Sequence, residues 1–130
     1  MKPAAPAAEV LIAGATGLVG RELTRRLLAR TPPMRLRALV RRPPPLADPR
    51  VQWQTVDFAQ LPALPPADEA YCCLGTTIRQ AGSQSAFKAV DLDAVLAFAR
   101  AARAAGAQRF AVVSSLGASP RSPNFYSRIK

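Results

Sequence analysis

EVLIAGATGLVG, residues 9–20, decides the architecture of this chain. Its first five residues form a short, largely apolar run, the composition expected of a strand buried on both faces of a parallel sheet. The run ends at Gly14. Over residues 18–30 Val19, Leu23 and Leu27 then recur on one face, while Arg21, Glu22, Arg25 and Arg26 fall mostly on the other. That is the period of an amphipathic helix. A strand that enters a helix through Gly14, Gly17 and Gly20 is the setting in which a glycine pattern becomes informative. The spacing is GxxGxxG and not GxGxxG, so the setting carries the reading. By analogy with the dinucleotide fingerprint, Gly14 allows a sharp turn, Gly17 lets the backbone approach a pyrophosphate, and Gly20 permits close packing of helix on strand. The helix start would offer free N–H groups and a partial positive charge to phosphates. No Lys-Ser or Lys-Thr pair follows, which excludes a P-loop. Gly14, Thr16, Gly17, Leu18, Val19 and Gly20 are accordingly assigned to a dinucleotide; a Gly-rich turn serving the fold alone is the plainer alternative.

Outward from this stretch, strands and helices alternate. Thr31-Pro32-Pro33 stops the first helix, because proline cannot continue it. A second strand is expected over residues 36–40, closed by Arg41-Arg42-Pro43-Pro44-Pro45, and a third over 51–56, ending at Asp57. Residues 61–66 are a proline-punctuated connection. A fourth strand, 69–74, runs into Gly75-Thr76-Thr77. Residues 82–89 read as a mobile loop with a short helix, followed by a long helix over 92–105 with Asp91 as its N-cap and Gly106 as its stop. A fifth strand spans 109–114. Such alternation predicts a Rossmann-type doubly wound parallel sheet of at least five strands with helices on both faces. The expected organisation is one domain over residues 1–130, with residues 1–8 as a flexible arm.

Composition narrows the function classes. Hydrophobic residues make up 49% of the sequence, yet no apolar run approaches the ~20 residues of a membrane span. The start lacks the apolar stretch of a secretory signal, so the expected location is cytoplasmic. Adjacent Cys72 and Cys73 on a strand would point to opposite faces and read as small buried hydrophobes, not as a disulfide or metal site. The chain has no histidine, which removes Ser-His-Asp triads, Cys-His pairs and imidazole-ligated metals together. Its formal charge of +10 invites a nucleic-acid reading. The distribution argues against one: mostly Arg, scattered along helices and strand ends, with no basic run longer than a pair.

The end of the second strand chooses between cofactors. An acidic residue there would hold the ribose 2′-OH of NAD, whereas arginine accommodates the 2′-phosphate of NADP. Here the residues are Arg41 and Arg42, and no carboxylate lies between Glu22 and Asp48. The expectation is NADP(H) in preference to NAD(H), because a guanidinium fork suits a phosphate dianion. A solvated pair closing an edge loop is the other reading.

GATGLVG, the VRR after the second strand, VDF at 56–58, CCLGTT at 72–77, VD at 90–91, VVSSLGA at 112–118 and NFYSRIK at 124–130 occur in order. Together they resemble the atypical short-chain dehydrogenase/reductases, most closely the Tat-interacting-protein-like oxidoreductases and bacterial relatives often labelled sugar epimerase or NAD(P)H-binding. The resemblance covers nearly the whole chain after Ala8. It implies that Asp57 and Phe58 border the adenine, and that Leu74, Gly75 and Thr76 line the path to the nicotinamide ribose. It also implies a catalytic set of Ser115, Tyr126 and Lys130, acting on a small-molecule carbonyl or alcohol. A free phenol has a pKa near ~10, so an adjacent ammonium is needed before it exchanges protons near neutrality. Lys130 would supply it, and Ser115 would hydrogen-bond the substrate oxygen. Without the resemblance these residues also read as a turn cap, an exposed aromatic and a terminal charge. A non-catalytic dinucleotide-sensing or interaction module is the competing function. The family continues past its YxxxK helix, whereas this chain stops at Lys130; the fifth strand is therefore expected near an open edge, which leaves room for a homodimer or strand exchange.

Overall fold

The computed structural model describes residues 7–75, 81–114 and 118–129. Among them, five strands pair in the order β3-β2-β1-β4-β5, with β1 at Ala8–Ala13, β2 at Met34–Val40, β3 at Val51–Thr55, β4 at Glu69–Cys72 and β5 at Arg109–Val112. Every pairing is parallel. Helix α1, Leu18–Leu28, joins β1 to β2. Between β4 and β5 lie α2 at Gln84–Lys88, a π-helical segment at Ala89–Ala94, and α3 at Val95–Ala104. A last helix, α4, spans Phe125–Ile129.

The central strand shows why the sheet is doubly wound. Along β1, Val10 and Ile12 enter one apolar cluster with Leu36, Ala38, Val51 and Leu27 of α1. Leu11 and Ala13 enter the opposite cluster with Leu39, Ala70, Cys72 and Phe98 and Ala102 of α3. Successive strand residues point to opposite faces, so a continuous apolar run can be satisfied only by helices on both sides. The same alternation separates the cysteines. Cys72 is buried in the α3-side cluster, whereas Cys73 packs partly buried against the α1 side. Burial pushes the Cys73 thiol above its ordinary pKa.

Several expected boundaries shift. β1 begins at Ala8, inside the stretch assigned to an arm, and its Ala8 aligns with Met34 of a β2 two residues longer than expected. The helical hydrogen bonding that starts after Ser83 runs on through the π segment into α3, and Ser83, whose side chain accepts from the Ala86 N–H, is the observed cap. Asp91 is therefore not an N-cap. It is a buried member of the π segment. Gly106, with φ +98°, follows the last residue of that helix's C-terminal turn as anticipated.

The amino end of the sheet is held by side chains. Arg30, just past α1, donates two hydrogen bonds of 2.9 Å to the carboxylate of Glu69 at the start of β4, and the Tyr71 hydroxyl donates a third at 2.7 Å. Glu69 is buried, and the Arg30 hydrogen bonds outweigh burial to hold its pKa at about 2, with Tyr71 adding to the lowering. Hydrogen bonding to Glu69 and burial raise the Tyr71 phenol. This fork ties α1 to β4 at the end of the sheet away from Gly14.

Candidate dinucleotide site

The order of strands reverses between β1 and β4, because the chain winds from β1 to β2 and β3 on one side and resumes at β4 on the other. Ligands of open α/β sheets bind beyond the carboxyl ends of the strands at such a switch point. There Gly14 turns with φ +81°, and a Cβ on it would lie 2.5 Å from the Cys73 carbonyl carbon and oxygen. The Cys73 N–H donates to the Ala13 carbonyl at 2.8 Å, which draws the two chain ends together. Gly14 is required twice over, by its backbone angle and by this close approach.

Gly20 has a different reason to be glycine. It is buried in the first turn of α1, and a Cβ there would overlap the Gly14 carbonyl oxygen at 1.8 Å. Close packing was expected at this position, and the group it packs on is the backbone of the turn. Gly17 is the exception. Its φ of −78° and ψ of 176° suit any residue, and the nearest atom to an added Cβ is the Gly14 oxygen at 3.6 Å. Among the described residues no backbone angle and no close contact demands glycine here, and Gly17 lines the cavity.

That cavity, about 220 Å³, is lined by Gly14, Thr16 and Gly17, by Leu39, Val40, Arg41 and Arg42 from the end of β2, and by Phe58, Cys73, Leu74, Gly75 and Val90. A second hollow of about 170 Å³ shares Arg41, Phe58, Leu74 and Val90 with it and adds Asp57, Ala59, Ala89 and Ala94. The four shared residues join the two hollows into one cleft, lined by the glycine turn and by the Asp57–Phe58 corner. Gly17 is the N-cap of α1; no side chain caps that end, and the first turn carries no acidic residue. The N–H groups and dipole of an eleven-residue helix thus meet the cleft with no carboxylate in the helix's first turn. The exposed Arg41 and Arg42 border it, and neither takes part in an ion pair among the described residues. The Asp57 carboxylate accepts the Ala59 N–H at 2.9 Å, which fixes the corner that presents Phe58.

Most sequence-assigned residues meet at this cleft: Gly14, Thr16, Gly17, Arg41, Arg42, Asp57, Phe58, Leu74 and Gly75. Gly20 shapes the turn from behind. Leu18 and Val19 do not line the cleft. They are 82% and 52% exposed and border a shallow depression on the outside of α1. Thr76, Ser115 and Lys130 lie outside the described residues. Tyr126 is helical, in α4, and its ring stacks on that of the buried Phe87 at 5.2 Å between centroids. Phe125 meets the same ring at 5.9 Å. Sequence reading missed Leu39, Val40, Cys73 and Val90 in the first hollow and Ala59, Ala89 and Ala94 in the second. The first three end the strands whose tips form the cleft, a position legible once the strand order is known. Val90 enters only through the packing of the long helix. Among the described residues no cluster of His, Cys, Asp or Glu could hold a metal ion, and no helix is long and apolar enough to cross a membrane.

The profile of a family described as NAD(P)H-binding matches residues 14–130. The chain is 35% identical over 128 residues to Protein HTATIP2 of Rattus norvegicus, covering 93% of this chain and 52% of that protein. It is 34% identical over 139 residues to the mitochondrial Protein FMP52 of Coccidioides immitis, covering 95% and 56%. The chain thus spans about half the length of these curated relatives. Its fold is similar to that of MoeE5 in complex with UDP-glucuronic acid and NAD, with a TM-score of 0.75, 22% identity, and coverage of 93% of this chain and 45% of that one. It is also similar to the ADP-L-glycero-D-manno-heptose-6-epimerase of Helicobacter pylori, with a TM-score of 0.71, 16% identity, and coverage of 95% and 48%.

Proposed function

The chain belongs to the NAD(P)H-binding family, and from that premise we propose that it is the nucleotide-binding part of an NADP(H)-dependent oxidoreductase of the short-chain dehydrogenase/reductase type. The observation that carries this reading is the bare floor at Gly17: no described neighbour crowds a Cβ there and no backbone angle requires glycine, whereas a diphosphate lying on the backbone would. Gly14, Gly17 and the start of α1 would hold the diphosphate, and Phe58 with Asp57 would border the adenine. Arg41 and Arg42 would take the 2′-phosphate, which favours NADP(H) over NAD(H). MoeE5 is named with NAD, so the two arginines are the residues on which the choice for this chain rests.

The nicotinamide supplies hydride chemistry when bound; this chain's task is to hold a substrate oxygen and move its proton. Tyr126 is the proposed proton-transfer group, with its ring steadied against Phe87. Ser115 would orient the oxygen, and the Lys130 ammonium would favour phenolate. The substrate class is a small carbonyl or alcohol. Calorimetric titration with NADPH and NADH tests the binding half of the proposal, with tighter NADPH binding expected. Tyr126→Phe tests the catalytic half, with loss of turnover at unchanged NADPH affinity expected. Dinucleotide binding without turnover in the parent protein would instead favour a sensing or interaction module.

A further inference from the structure

The walls of the cleft are held in different ways. Hydrogen bonds fix the glycine turn and the Asp57–Phe58 corner: the Gly17 N–H donates to the Gly14 carbonyl at 3.3 Å, the Cys73 N–H to the Ala13 carbonyl at 2.8 Å, and the Ala59 N–H to the Asp57 carboxylate at 2.9 Å. The wall that carries Arg41 and Arg42 is anchored only at its two ends. At one end the Val40 carbonyl accepts the Val56 N–H at 2.8 Å; at the other the Asp48 carbonyl accepts the Val51 N–H at 3.1 Å and the Trp53 indole N–H at 3.0 Å. Between these anchors residues 41–47 make no ion pair and no turn, loop or side-chain hydrogen bond among the described residues. All but the half-buried Pro44 are exposed, and even Leu46 is 92% exposed, so apolar packing does not tie this arm down.

What stiffens the arm is covalent. The rings of Pro43, Pro44 and Pro45 lock φ at about −65°. A residue followed by proline is steered to extended angles, and that applies to Arg42, Pro43 and Pro44 in turn. Successive prolines act as a semi-rigid spacer. Arg41 and Arg42 stand between this spacer and the last residue of β2, restrained on both flanks, while both line the cleft. Two arginines on a slack loop would have to be ordered by each dinucleotide that binds, and such ordering opposes association. A loop stiffened beforehand avoids that cost.

We propose that Pro43, Pro44 and Pro45 are positioning residues for the choice of cofactor: they hold Arg41 and Arg42 at the cleft before the dinucleotide binds, and so enlarge the preference for a 2′-phosphate. The inference rests on the NADP(H) reading of the two arginines. None of the three prolines lines the cleft, so they act through the arginines and not on the ligand. NADH, which has no 2′-phosphate, gains nothing from a stiff arm.

The test is calorimetric titration of NADPH and NADH into the 130-residue chain, its Pro43→Ala/Pro45→Ala variant, its Arg41→Ala/Arg42→Ala variant and the combination of all these substitutions. Pro43 and Pro45 are exposed, so alanine removes little packing. The chain entropy withheld by one such restraint corresponds to about a two- to fivefold change in an equilibrium. The proline variant should therefore bind NADPH about fivefold or more weakly, and NADH within about twofold of the parent. In the arginine-free background the same proline substitutions should leave NADPH affinity unchanged, the non-additivity of groups that act as one. Should the double proline variant lose the parental circular dichroism spectrum, Pro43→Ala alone, next to Arg42, should still weaken NADPH about twofold or more and spare NADH. A folded proline variant with the parental ratio of NADPH to NADH affinity, or one that loses the same factor with and without the arginines, would overturn the proposal and leave the NADP(H) reading standing. An arginine variant that weakens both dinucleotides alike would overturn that reading itself.

Discussion

The two ends of the sheet are built on opposite principles. At the amino end, Arg30, Glu69 and Tyr71 close the structure with side chains, three hydrogen bonds converging on one buried carboxylate. At the carboxyl end the structure is shaped by missing side chains, with Gly14 and Gly20 letting β1, α1 and the end of β4 approach to backbone contact and Gly17 leaving a floor uncovered. The difference teaches where stability and function divide. Replacing a residue at the amino end should alter folding and spare the ligand, whereas at the carboxyl end the outcome depends on which glycine is touched.

Gly20→Ala should break the comparison most severely. Its Cβ would overlap the Gly14 carbonyl oxygen, and because the obstacle is backbone, a loss of at least about 3 kcal/mol is expected, measured by urea denaturation. Glu69→Gln comes next. It leaves the Arg30 guanidinium without its carboxylate and should cost about 2–3 kcal/mol, with dinucleotide affinity unchanged by calorimetry. The pH dependence has a fixed sign. The folded pKa of Glu69, about 2, lies below the ordinary 4.5, so its stabilisation is present above pH 4.5 and is lost as pH falls through about 2. The variant's midpoint should therefore vary less than the parent's over that window. Smaller again is the effect of replacing Arg41 and Arg42 together by alanine, which should weaken NADPH roughly tenfold or more through loss of charge-assisted hydrogen bonds and leave NADH nearly unaffected. Equal losses for both dinucleotides would remove the case for NADP(H).

The carboxyl end was largely legible in the sequence because it depends on local pattern. EVLIA followed by glycines gives a strand, a turn and a helix from neighbours in the chain, and the strand tips at Arg41, Asp57 and Leu74 follow from where apolar runs stop. The amino end was not legible. Arg30 and Glu69 are 39 residues apart, and nothing in either segment announces that parallel pairing of β1 with both β2 and β4 brings them together. Asp91 misled for a related reason. An acidic residue before an apolar stripe reads as a cap, but the helix had already begun at the Ser83 cap and passes through a π segment that buries Asp91. Leu18 and Val19 were assigned to the dinucleotide from their place in the motif, and the first turn of α1 leaves both exposed. Of the catalytic set, only Tyr126 falls among the described residues, and its stacking on Phe87 could not be read from spacing.

Gly17→Ala tests the central claim most directly, with folding and binding measured on the same protein. The fold leaves room for the methyl group, so stability should change by about 1 kcal/mol or less, while calorimetric affinity for NADPH should fall at least tenfold because the diphosphate can no longer lie against the backbone. Retention of parental affinity by a folded Gly17→Ala protein would contradict the account.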